Sequence, residues 1–366
     1  MKRNIWMAAF AVAALSSCSQ NEAIESIAQD NNAINFSTYV GRNSRAGIMY
    51  EEGLKMEKTG FRVLGYSTDT ISWENMVDVN KELNFMLGDS VLWNSGSSKW
   101  EYANQKYWPN AVVDGTTLGK VSFFAYAPEN DSIAVTKTLN ATGDPIITYT
   151  CPASQASQVD LVTASAIDQT KNNVDGKVNF TFDHALSKIA FTAAKAANYD
   201  NAKIILKKLD VAYGTGITKK NTFNISTETW GSTGATAYVS TDTTNIYNEA
   251  IGDTLTWNTI DSQATIFKFS PESLVAGAVQ KSTNYLMLIP QVITAGALKA
   301  TLTYEVYDTT RLSTVTNMVT VDLPAITWEK GKQYTYNLIV TLTGVTFDVT
   351  SISGWSDGTQ PTDSAI

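Results

Sequence analysis

From about residue 33 onward, apolar and polar residues alternate along the chain with a period of two. Val178, Phe180 and Phe182 alternate with Asn179, Thr181 and Asp183 in VNFTFD. Leu302, Tyr304 and Val306 alternate with Thr303 and Glu305, and Tyr334, Tyr336, Leu338, Val340 and Leu342 alternate with their polar neighbours and Ile339. Such runs predict strands with one side-chain set buried and the other turned to solvent. Turn chemistry separates them, at Gly115, residues 140–145, Asp175-Gly176, residues 214–216 and Gly331. Helix signals are weak, amounting to a turn or two over residues 76–87 and another over residues 271–278. The pattern predicts an all-β chain of sandwich domains.

At 366 residues, and about 150 per domain, two tandem β-sandwiches are expected. The polar turn after a strong strand places the join near Lys195, which gives domains over residues 33–195 and 196–366.

The first residues read as an address. Lys2 and Arg3 precede an apolar run over residues 5–15, too short to span a bilayer, which takes about 20 apolar residues as a helix. Leu15-Ser16-Ser17-Cys18 resembles a bacterial lipobox, so residues 1–17 read as a lipoprotein signal peptide and Cys18 as the acylated first residue of the mature chain. An ordinary signal peptide with a chance cysteine is the alternative. Residues 18–32 are polar and acidic and read as a flexible tether. Losing Lys2 and Arg3 moves the formal charge from −8 to −10.

Charge and chemistry narrow the function. A net acidic chain without a basic run is a poor holder of phosphate backbones, so no nucleic-acid partner is expected. With one histidine (His184) and two cysteines (Cys18 and Cys151), neither a zinc cage nor a disulfide framework can be assembled. No metal, cofactor or catalysis is expected. His184 ends the VNFTFD strand and reads as a histidine bonded to backbone. Cys151, with no basic neighbour, reads as a packed thiol. Gly214-Thr215-Gly216 lacks the third glycine of a phosphate loop and predicts a tight hairpin. Glu51-Glu52 and Glu129 with Asp131 read as solvated acids. Trp93, Trp100 and Trp108 lie in a loop-rich segment and are the members of a candidate sugar-stacking platform.

Residues 33–40, AINFSTYV, form a strand candidate with Ile34, Phe36, Thr38 and Val40 on one face. The stretch that follows, through Arg42, Arg45, Ala46 and Gly47, is polar and of the kind proteases nick. Near the C-terminus Val345, Phe347 and Val349 alternate with Thr346, Asp348 and Thr350, and Ile352 follows after a one-residue shift.

Several segments fall together in one order: FFAYAP (123–128), DLVTA (160–164), FTFDHALSKIAFT (180–192), NTFNISTETW (221–230), YLMLIPQ (285–291), WEKGKQYTYNLIV (328–340) and VTFDVTSISGW (345–355). With the lipobox, this set resembles the fimbrillin family, the Mfa-like type V pilins of Bacteroidales. The resemblance implies two transthyretin-like sandwiches, export as an outer-membrane lipoprotein, and assembly into surface fimbriae by strand exchange. It implies a cut at Arg45-Ala46, with Arg42 as second choice. The first strand, carrying Ile34, Phe36 and Val40, would then leave a groove. The C-terminal strand of another subunit, carrying Val345, Phe347 and Val349, would fill it. That strand also reads as the last strand of the second domain, which leaves stalk, tip, capping and accessory roles open. The implied partners are other fimbrial subunits, host or bacterial surface ligands, and the membrane through the lipid. The alternative is a monomeric glycan-binding surface lipoprotein that uses the loop tryptophans.

Overall fold

A computed structural model describes residues 32–40, 49, 51–56, 59–109, 112–113, 117–129, 133–135, 142–171, 176–196, 201–231, 234–248, 264–265 and 285–354. The chain is all-β, as its periodicity predicts. In chain order come β1 (Asn35–Val40), the short helix α1 (Glu51–Leu54), β2 (Phe61–Asp69), β3 (Met86–Asn94), β4 (Lys99–Glu101) and β5 (Lys120–Ala127). Then follow β6 (Ile133–Val135), β7 (Ile146–Thr150), β8 (Val162–Gln169), β9 (Lys177–His184) and β10 (Ser187–Lys195). The second half holds β11 (Ala202–Tyr213), β12 (Thr218–Asn224), β13 (Thr243–Asn248), β14 (Leu286–Leu288) and β15 (Leu298–Asp308). It ends with β16 (Ser313–Asp322), β17 (Lys332–Val340) and β18 (Val345–Gly354).

The largest sheet has seven strands in the order β1-β9-β8-β5-β2-β3-β4. All its neighbours are antiparallel except the first pair, in which β1 runs parallel to β9 with Phe36 beside Val178 and Val40 beside Phe182. β1 and β4, the two ends of the order, approach each other, so the sheet is rolled almost shut. The central strand β5 is buried at nearly every position because both faces of the sheet are covered. Phe123 and Ala125 face one core with Phe36, Phe61, Val63, Phe180 and Phe182. Phe124 and Tyr126 face the other, which continues through Leu206, Tyr304, Trp328 and Tyr336 to Val345.

A second sheet orders Ala264–Thr265, β10, β17 and β18, with β14 also on β10 and a parallel β10–β17 pair. The third runs β13-β11-β15-β16, and the fourth pairs β12 with β7 and Thr229–Trp230, with β6 beyond β7. The join placed after Lys195 falls at the end of β10, while β7 and β12, one from each side of it, pair along Ile146–Thr150.

One local expectation is met in part and another is corrected. The turn or two expected over residues 76–87 is a single 3-10 turn (Asp78–Asn80), after which the chain enters β3. Val77 and Val79 stay exposed, and Lys81 is tied to Asp144 at 2.6 Å, so no apolar helical face forms. The candidate turn over residues 271–278 lies outside the described residues. Residues 214–216 turn the chain but make no hairpin, because β11 and β12 belong to different sheets. Gly214 donates its amide to the Ala297 carbonyl at 2.8 Å, and a Cβ there would meet that oxygen at 2.6 Å.

Candidate functional site

The site is the slot at the rim of the large sheet that β1 occupies. The alternation of the AINFSTYV segment sets its faces: Ile34, Phe36 and Val40 are 0%, 3% and 1% exposed, while Tyr39 on the other face is 53% exposed. Phe36 is the centre. Its ring lies 5.6 Å from Phe180 and Tyr102, 5.9 Å from Phe123 and 6.1 Å from Phe61.

The polar groups of the strand are held from both sides. On the β9 side, Asn35 donates its amide to the Gly176 carbonyl at 3.3 Å, and Ser37 bonds Asn179. On the other side the Ile34 amide donates to Lys106 O at 2.9 Å. The Ile34 carbonyl accepts from Tyr102 Oη at 2.9 Å and from Gln105 Nε2 at 3.0 Å. Burial pushes the Tyr102 phenol up to about 12, which keeps it protonated as a donor. Asn32 and Trp108 exchange bonds just ahead of the strand. Thr38 Oγ1 donates to Glu51 Oε1 at 2.7 Å, and Lys55 pairs with that carboxylate at 2.8 Å. An open cleft of about 430 Å³ lies alongside, between Ser37 and Thr38 and the hairpin residues Trp93, Lys99 and Trp100.

The chain is held again soon after β1. Met49 is 6% exposed, and its amide donates to Asp160 Oδ2 at 2.8 Å. Asp160 is itself buried, and the same oxygen lies 2.8 Å from His184 Nδ1. The connection over residues 41–48 therefore runs between two fixed points, Val40 in the slot and Met49 on Asp160. Arg42, Arg45 and Ala46 belong to that connection and lie outside the described residues, as do residues 1–31 with Cys18.

The C-terminal strand β18 lies at the end of the second sheet, antiparallel to β17, with Val345 opposite Val340, Phe347 opposite Leu338 and Val349 opposite Tyr336. The register slips by one residue before Ile352 meets Tyr334, where the sequence pattern shifts.

Other sequence expectations are met or change on contact with the structure. The His184 ring meets the Asp160 carboxylate. Cys151 is the packed thiol that the sequence predicts: it is buried, with Sγ 3.0 Å from Met287 O, and burial pushes the thiol up to about 12. Trp100 and Trp108 are 6% and 2% exposed, and Trp93 is half-buried under Lys55, so the three do not present a stacking face for sugars. Glu51 is not simply solvated but holds β1, and Glu129 pairs with Arg62 and accepts from Ser90 Oγ at 2.7 Å. Tyr102, Gln105, Asp160 and the role of Glu51 were missed from sequence. Their partners sit at separations of 13 to 111 residues, and no short motif marks them. Among the described residues no three His, Cys, Asp or Glu side chains gather to hold a metal ion.

Fold and rim together define a class: an all-β chain of several packed sheets, the largest of which is completed by a short N-terminal strand. A family model described as fimbrillin-like matches residues 56–355, and the chain belongs to that family. It is 30% identical to fimbrium subunit Fim1C of Phocaeicola vulgatus over 372 residues, covering 94% of each chain. The crystal structure of a fimbrial protein from Bacteroides vulgatus has the same fold, with a TM-score of 0.68 at 23% identity, over 89% of this chain and 100% of that one.

Proposed function

We propose that this chain is a subunit of a surface fimbria, exported as an outer-membrane lipoprotein acylated at Cys18 and assembled by protease-triggered strand exchange. A cut at Arg45-Ala46 frees β1 from the chain that Met49 anchors. β1 then leaves its slot, and the strand of a neighbouring subunit, carrying Val345, Phe347 and Val349, takes its place. Two sandwiches, over residues 33–195 and 196–366, would carry the acceptor slot and the donor strand. The partners are other fimbrial subunits, with host or bacterial surfaces as the target of adhesion.

One observation carries the reading: Ile34 and the strand β1 that follows it bury three apolar side chains, Ile34, Phe36 and Val40, at a rim of the large sheet, where β1 pairs in a ladder with β9 alone. Each side chain contributes about 1.5–3 kcal/mol, so an emptied slot strongly favours refilling by any strand of the same pattern. A donated strand makes a head-to-tail contact, which propagates into a filament. Membership of the fimbrillin-like family and similarity to a fimbrium subunit support the same assignment.

Brief treatment of the purified protein with an Arg-specific protease tests it. The expected result is one early cut between Arg45 and Ala46, abolished by Arg45→Ala, followed by oligomers. A chain that stays intact, or is cut at many sites without assembling, overturns the proposal.

A further inference from the structure

We propose that the cleft between β1 and β4 is a binding site for an acidic sugar, a ring that carries hydroxyls and a carboxylate. The chain has a formal charge of −8, so a cluster of the opposite sign stands out against the rest of it. The cleft holds such a cluster: Lys55, Lys99 and Lys177 line it against one carboxylate, Glu51. Glu51 is already engaged, by Lys55 at 2.8 Å and by Thr38 at 2.7 Å. Lys99 and Lys177 are exposed, and neither forms an ion pair among the described residues. Glu101, on the same strand as Lys99, has its carboxylate taken by Asn94 at 2.9 Å and by Ser97 at 2.7 Å. Two ammonium groups therefore stand without a partner along a cleft of about 430 Å³, a volume within the range of small-ligand sites.

The walls select the class of ligand. Ile34 turns its main chain away from β9, giving its amide to Lys106 O and accepting at its carbonyl from Tyr102 and Gln105. Strand alternation turns the amides and carbonyls of Phe36 and Thr38 the same way, toward the cleft that both residues line. Among the described residues no strand pairs with β1 on that side. A bare anion such as phosphate satisfies the ammonium groups and the amides but leaves the carbonyls without a donor. A peptide strand supplies donors and acceptors but does not fit. It would hold its two flanking strands about 9.5 Å apart, whereas Cα atoms of β1 and β4 come within 8 Å of each other. A polyhydroxy acid meets each condition, with its carboxylate on the lysines and its hydroxyls giving to and accepting from the main chain. No ring stacking is needed, in keeping with the burial of Trp100. The ligand touches β1, β4 and Lys177 of β9 at once, and so braces β1 in its slot. The site is complete in the uncut chain and does not depend on strand exchange.

Calorimetric titration of the uncut chain with a galacturonate disaccharide tests this, beside the neutral galactose disaccharide, inorganic phosphate and a diglutamate peptide. The acidic disaccharide is expected to bind about tenfold more tightly than each of the other three, and to weaken as salt is raised. Lys99→Gln with Lys177→Gln is expected to weaken it about tenfold and to leave the melting temperature unchanged, since both side chains are exposed. Absence of binding overturns the proposal, and so does binding that ignores salt. Equal binding of the neutral sugar, of phosphate or of the peptide overturns it too, as does a Lys99→Gln, Lys177→Gln variant that binds like the unaltered chain. A chain that binds the acidic sugar yet never assembles after proteolysis counts against strand exchange and leaves this site standing.

Discussion

Phe36 shows how one side chain can decide whether a strand stays put. Four aromatic rings surround it within 6.1 Å, and it is 3% exposed. Phe36→Ala leaves a cavity that the rolled sheet can only partly close, and is expected to cost about 3–5 kcal/mol, read as a lower urea midpoint. Buried acids add a pH dependence of definite sign. Burial raises the Cys151 thiol from 9.0 to about 12 and the Tyr102 and Tyr336 phenols from 10.0 to about 12. The unfolded chain releases these protons first, so the stability present below about pH 9 declines as the pH rises toward 12. The urea midpoint is expected to fall between about pH 8 and about pH 10.5, with Cys151 unreactive to thiol reagents until the chain unfolds. An unchanged midpoint would contradict this. At this scale alternation revealed which side of residues 33–40 is apolar. It could not reveal Glu51, Tyr102 or Asp160, whose roles arise only where distant segments meet.

Among elements, β1 differs from its sheet in being terminal and parallel, and parallel pairing is slightly weaker per residue. β5 lies between two antiparallel neighbours with both faces covered. Hydrogen exchange should therefore open β1 well before β5, and β1 amides as slow as those of β5 would show that the strand does not detach on its own. β9, with clean period two, was legible because period two is a local property, whereas β17 buries Thr335 and Asn337 along with its apolar set. The slip in β18 was legible too, since a bulge moves the apolar set by one place. The misread stretch was one whose fate depends on a distant partner: the turn at Gly214 is held by the Ala297 carbonyl, far along the chain.

For the whole molecule, one core runs from Leu64 to Val345, and the β7–β12 pairing crosses residue 195. Thermal unfolding is expected as one cooperative transition, seen by calorimetry with agreement between calorimetric and van't Hoff enthalpies. Two separated transitions would instead mark residues 33–195 and 196–366 as independent units. Strand order was beyond the sequence, since the parallel match of β10 with β17 joins segments far apart in the chain.

Along β5 the large sheet is sheltered above and below and has no face left with which to greet a neighbour. Under the proposed strand exchange, recognition falls to the borders, short stretches of backbone whose hydrogen bonds a strand of matching pattern can meet. A lineage of such proteins can thus trade one companion for another by rewriting those margins, while the aromatic interior stays as it is.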